Sequence, residues 1–81
     1  MNKEEFKLLF GMQLAVLRKQ QRLSYRAMAL RCDIDYSDIS KIEKGQKDIQ
    51  LFTIYQLAKA LNKHPQELFE FDFPLEKISI S

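Results

Sequence analysis

Between Leu23 and Gly45 the chain carries two helix-start signals and one stop, which leaves room only for two short helices joined by a tight turn. The Ser24 hydroxyl is placed to accept from the free N–H groups opening the first helix, and the Asp35 carboxylate to do the same for the second. Met28, Ala29 and Cys32 share one face of the first helix. In the second, Ile39 and Ile42 point inward, while Ser37, Ser40, Lys41 and Lys44 share the opposite face at i, i+3, i+4, i+7. Gly45 stands where a helix end takes a left-handed residue. Helices this short bury too little surface to stand alone, so the rest of the chain must hold them.

The flanking sequence is built for that. A helix from about Glu4 to Gln21 places Phe6, Phe10, Leu14 and Leu17 at helical spacing, with Gly11 and Arg18 beside them. A second stripe (Leu8, Leu9, Met12, Ala15, Val16) makes this helix apolar more than halfway round, which calls for a cover. After the basic connection Lys44–Asp48, a helix from Leu51 to Leu61 turns Leu51, Ile54, Tyr55, Leu57, Ala58 and Leu61 inward, and Asn62 tolerates the left-handed end. His64-Pro65 starts a fifth helix whose buried pair is Leu68 and Phe69. From Phe69 onward the pattern becomes strand-like, with Phe69, Phe71 and Phe73 alternating with acids and Pro74 interrupting. Such a tail frays, packs on the first helix, or pairs with a second subunit.

Eighty-one residues make one domain, over residues 1–70, with an apolar tail at 71–81. A single cysteine excludes an internal disulfide and fits the cytoplasm, and no apolar run approaches the ~20 residues of a membrane span. The net charge is only +2, but residues 18–47 carry +4 while residues 1–17 sum to zero and residues 48–81 to −2. Positive charge thus gathers on the helix pair, as a polyanion-binding surface requires. The single histidine, His64, precedes a proline, and Cys32 faces inward; no metal-ligand cluster or phosphate-cradling glycine loop exists, which argues against an enzyme, a cofactor or a small-molecule ligand.

Two helices across a short turn, with a polar face on the second standing clear of the core, match the geometry that enters the DNA major groove. The chain here resembles the Cro/repressor-type (Xre) helix-turn-helix family. The resemblance runs from about Phe10 to Phe69 and rests on Gly11, Leu14, Leu17-Arg18, Leu23-Ser24, Met28-Ala29, Ile34, the run Ile39-Ser40-Lys41-Ile42-Glu43-Lys44-Gly45, and Leu57-Ala58-Lys59-Ala60-Leu61. It implies an all-α, compact five-helix repressor-like domain that binds double-stranded operator DNA, usually as a homodimer. By position it implies base reading by Tyr36, Ser37, Ser40 and Lys41, and backbone contacts from Ser24, Tyr25, Arg26, Lys44, Gln46 and Lys47. It also implies a buried ion pair between Arg18 and Glu43 that fixes the second helix of the pair.

The sequence departs from the family pattern at Asp33, where a turn glycine with positive φ is usual, and at Asp35 and Asp38, which bring negative charge to the DNA side. Ile49 and Gln50 replace a proline and a stronger cap before the fourth helix. A transcriptional regulator working as a dimer on a pseudo-palindromic operator is the reading that follows. The competing one is an antitoxin or protein-interaction module with little DNA specificity. Stand-alone chains of this size resemble small phage-type repressors, restriction–modification controllers and antitoxins, and Asp48-Ile49-Gln50-Leu51 leans toward the controllers. The dimer interface is expected at Leu68, Phe69, Phe71 and Phe73, against the second stripe of the first helix.

Overall fold

The computed structural model describes residues 1–72. Four α-helices follow in order, α1 (Lys3–Gln20), α2 (Tyr25–Ala29), α3 (Tyr36–Glu43) and α4 (Leu51–Leu61), and a 3-10 helix (Pro65–Phe69) closes the set. The fold is all-α, with no strand among the described residues. The fifth helix is a 3-10 turn rather than an α-helix: Pro65 fixes its start, Glu67 accepts from the His64 N–H at 2.7 Å, and five residues are too few for an α-helical ladder. Of the strand-like tail, Phe71 and Asp72 are not extended into a strand, and Phe73 onward lies outside the described residues.

Local chemistry sets the helix ends. Asn2 Oδ1 accepts from Glu5 N–H at 2.8 Å and opens α1, one residue before the expected start. Ser24 Oγ accepts from Ala27 N–H at 3.0 Å and caps α2 as expected. Asp35 takes the extended geometry of a cap, but its carboxylate accepts from the Ser37 hydroxyl at 2.8 Å instead of a backbone N–H. A hydroxyl two residues on competes with the backbone for that carboxylate. Gly45 (φ 71) and Asn62 (φ 53) close α3 and α4 in left-handed geometry. Arg22 does the same after α1 at φ 57, without a glycine or asparagine to announce it.

The core joins Phe10, Leu14 and Leu17 of α1, Met28 of α2, Ile39 and Ile42 of α3, Leu57 and Leu61 of α4, and Leu68 of the 3-10 helix. α4 departs from its expected orientation. Leu51 and Tyr55 face solvent, and the buried face consists of Leu57, Ala58, Ala60 and Leu61. α4 is apolar on nearly every side, so its periodicity leaves the inward direction open, and packing against α2 and the 3-10 helix decides it.

Candidate nucleic-acid interface

The position of α3 is set from behind. α1 passes so close to its end that Gly11 lies against the Ile42 and Glu43 carbonyls, where a Cβ would overlap backbone atoms. Arg18 Nε donates to Glu43 Oε2 at 2.6 Å and Nη2 to Oε1 at 3.1 Å, a two-pronged pair with both residues buried. The third guanidinium direction is also used: Nη1 donates to the Leu23 carbonyl at 2.8 Å. The hydrogen bond to the Glu43 carboxylate, opposed by desolvation, holds the Arg18 pKa above even the usual arginine value. Glu43 therefore ends α3 in a bond to α1, and the same arginine grips the residue that leads into α2.

Tyr25 completes this brace. Its hydroxyl donates to Glu43 Oε1 at 3.1 Å, and its ring lies under the Arg18 guanidinium at 4.2 Å from the centroid. In this state its hydroxyl serves the brace rather than projecting toward a backbone phosphate. Ser24, also expected at a phosphate, has its hydroxyl engaged as the α2 cap, where it accepts from the Ala27 N–H.

On the outer side α3 presents Tyr36, Ser37, Ser40, Lys41 and Lys44. Tyr36, Lys41 and Lys44 are exposed, and Ser37 and Ser40 are partly covered. Arg26 of α2 stacks its guanidinium over the Tyr36 ring at 4.2 Å, which joins the starts of the two helices and orients the tyrosine. Lys41 and Lys44 have no ion-pair partner among the described residues. Lys47 does: its Nζ lies 2.9 Å from Asp38 Oδ1. That bond, with the field of Lys41, holds the Asp38 carboxyl below the usual aspartate range. Asp38 thus ties the connection after α3 back to its first turn, and Gln46 stays exposed between them. The sequence offered no signal for this tie, because residues nine apart on a helix and a loop share no period.

Asp33 does not take the positive φ expected of it; Arg22 and Asn62 are the non-glycine residues in that region among the described residues. The turn closes with right-handed bonds from Arg31 N–H to Met28 at 3.0 Å and Cys32 N–H to Ala29 at 3.3 Å. The Asp33 N–H is then taken by Gln56 Oε1 of α4 at 3.1 Å. No backbone strain is needed, and so no glycine.

The expected dimer residues that the structure describes also pack within the protomer. Leu68 is fully buried in its own protomer's core. Phe69 packs on Phe10 and Phe6 at ring distances of 5.2 and 6.4 Å, and Phe71 on Phe6 at 6.1 Å. These aromatics cover α1 from within the protomer, while Phe73 lies outside the described residues. Among the described residues no three His, Cys, Asp or Glu are grouped to hold a metal, and no helix is long and apolar enough to cross a membrane.

Comparison with known proteins places this geometry. A family model described as helix-turn-helix (HTH_3) matches residues 14–68. The chain is 33% identical over 66 residues to control protein C.BamHI of Bacillus amyloliquefaciens, covering 80% of this chain and 82% of that one. Control protein C.MunI of a Mycoplasma species is 32% identical over 66 residues, 80% of this chain and 89% of that one. The crystal structure of the restriction-modification controller protein C.AhdI from Aeromonas hydrophila superposes with a TM-score of 0.78 at 35% identity, covering 80% of this chain and 98% of that one.

Proposed function

The chain belongs to the helix-turn-helix family and is a DNA-binding transcriptional regulator, and on that premise we propose that it acts in the cytoplasm as a homodimer on a pseudo-palindromic operator. The observation that carries the reading is the Arg18–Glu43–Tyr25 brace, which fixes α3 from behind while its outer face keeps Lys41 and Lys44 without a counter-ion among the described residues. Tyr36, Ser37, Ser40 and Lys41 then reach base edges, Lys41 as a donor to guanine O6 and N7. Arg26, Lys44, Gln46 and the N–H groups at the start of α2 (Ser24, Tyr25) hold phosphates, and Lys47 joins them when Asp38 releases it.

The likeness to two control proteins and a restriction-modification controller supports a place among regulators of restriction–modification operons. A regulator of this kind works by occupancy of DNA, set by protein concentration.

Selection of bound duplexes from a random library tests this directly. Enrichment of two inverted half-sites whose centres lie about 34 Å apart, one helical turn, supports the dimeric reading. Recovery of unenriched sequence, with no binding to random duplex at low salt, overturns it in favour of a protein-interaction module.

A further inference from the structure

The starts of α2 and α3 meet outside the core. Arg26, the second residue of α2, lays its guanidinium over the ring of Tyr36, the first residue of α3, at 4.2 Å from the centroid. Both side chains are exposed, Tyr36 at 40%. Among the described residues Arg26 forms no ion pair or hydrogen bond, and the Tyr36 hydroxyl has no hydrogen-bond partner. Asp33 and Asp35 border the same recess, yet neither takes the arginine, and Asp35 accepts from the Ser37 hydroxyl instead. The guanidinium rests on a ring with two carboxylates at hand.

We propose that Arg26 determines sequence specificity by positioning Tyr36, holding the ring so that its uncovered face meets the methyl group of one thymine in the major groove. The inference rests on the base-reading role given to Tyr36 above and names the base that it reads. Its first support is the place of Tyr36 in α3. A side chain inside a helix leans on the turn before it, but the first residue has no such turn and its ring is free to swing. A guanidinium stacked on it from a second helix removes that freedom before DNA arrives, so less order has to be imposed on binding.

The second support is what the stack leaves open. Stacking uses the flat face of the guanidinium, while its N–H donors all lie in the plane and remain available to a phosphate. One side chain can then grip the DNA backbone and set the reader, which fixes the ring against the register of the duplex. The third support is chemical complementarity. With a cation on one face, the ring offers an apolar surface on the other. The thymine methyl is the apolar group that base pairs display in the major groove, and aromatic side chains contact it there.

Selection from a random duplex library by the full chain, repeated with Tyr36→Ala, Arg26→Gln and Arg26→Lys, tests the assignment. Both positions lie on the surface, and circular dichroism with a thermal melt verifies that each variant is folded. The wild type is expected to enrich thymine at one position that Tyr36→Ala no longer distinguishes, a loss of about tenfold in discrimination. Both Arg26 variants weaken the preference at that same position by about two- to fivefold, the size of an exposed cation–π pair. Lysine carries the charge without the planar stack, so Arg26→Lys keeps the salt slope while the preference falls. In the Tyr36→Ala background the Arg26 variants change nothing further at that position. Exchanging the thymine for deoxyuridine removes only the methyl and lowers wild-type affinity about fourfold, but does not affect Tyr36→Ala. Arg26 variants that weaken all sequences equally reduce Arg26 to a phosphate contact and overturn the proposal, as does a deoxyuridine site bound as tightly as the thymine one. A Tyr36→Ala profile identical to the wild type instead removes the base-reading role of Tyr36 on which the inference stands.

Discussion

Gly11 of α1 lies against the carbonyl of Glu43, the last residue of α3, so closely that any side-chain carbon would overlap it. The helix that holds the core and the proposed DNA-reading helix are thus in backbone contact at one point, and the Glu43 side chain returns from that point to Arg18. Backbone contact and ion pair together fix both the distance and the angle of α3.

Gly11→Ala tests the contact. In an open helix this change gains about 0.8–1 kcal/mol. Here the new methyl meets backbone that cannot rotate away, and overpacking of that kind costs about 1–3 kcal/mol. The expected net effect is destabilisation of about 1 kcal/mol with weaker DNA binding, read by denaturant unfolding and a gel-shift titration. A more stable variant would mean that α1 and α3 are not in contact.

Glu43→Gln keeps the shape but leaves the Arg18 charge buried without its counter-ion. Breaking a buried pair in this way costs about 3–5 kcal/mol. At about 4 °C or more per kcal/mol for a domain of this size, the melting temperature falls by roughly 12 °C or more. Tyr25→Phe removes one bond to Glu43 and keeps the ring under Arg18, so its loss is smaller, about 1–2 kcal/mol. Calorimetry on the two variants orders them.

On the proposed reading, Lys41 and Lys44 separate by the kind of contact each makes. Lys41→Ala relaxes sequence preference at one operator position, at a cost of about 1–3 kcal/mol there. Lys44→Ala weakens specific and random duplexes alike and lowers the slope of log affinity against log salt by about one unit. Competition titrations at several salt concentrations distinguish the two.

Asp38 is held below its ordinary pKa, first by the hydrogen bond from Lys47. The tie is therefore complete above the unfolded-state value and is lost as pH falls through the lower folded-state one. Its contribution to stability is small because both partners are exposed to solvent. Its effect on charge is larger: Asp38→Asn frees Lys47, and binding to random duplex becomes stronger and steeper in salt by about one phosphate contact. NMR titration of the Asp38 carboxyl carbon checks the shift, and Lys47→Gln in the Asp38→Asn background restores the wild-type salt slope.

Much of the fold was legible because it rests on local rules. Ser24 as a cap, Gly45 and Asn62 as left-handed ends, and Ile39 and Ile42 as the anchors of α3 follow from spacing and residue chemistry. The pairing of Arg18 with Glu43 came from resemblance alone, since residues 25 apart share no helical period. Asp33 misled for a related reason: the turn glycine of the family answers a backbone conformation that this chain does not adopt.

By itself the sequence determined the four α-helices, the Ser24 cap, the left-handed ends at Gly45 and Asn62 and the polar face of α3, all properties of neighbours along the chain. Only the tertiary structure decided which way α4 faces, what Tyr25 and Lys47 bond to, and which aromatics are spent in the core. Leu68 and Phe69 are as apolar as Leu51 and Phe52, so composition cannot rank them. Burial follows from which surfaces α1 and α2 leave open once packed, and that left Leu51, Phe52 and Tyr55 outside.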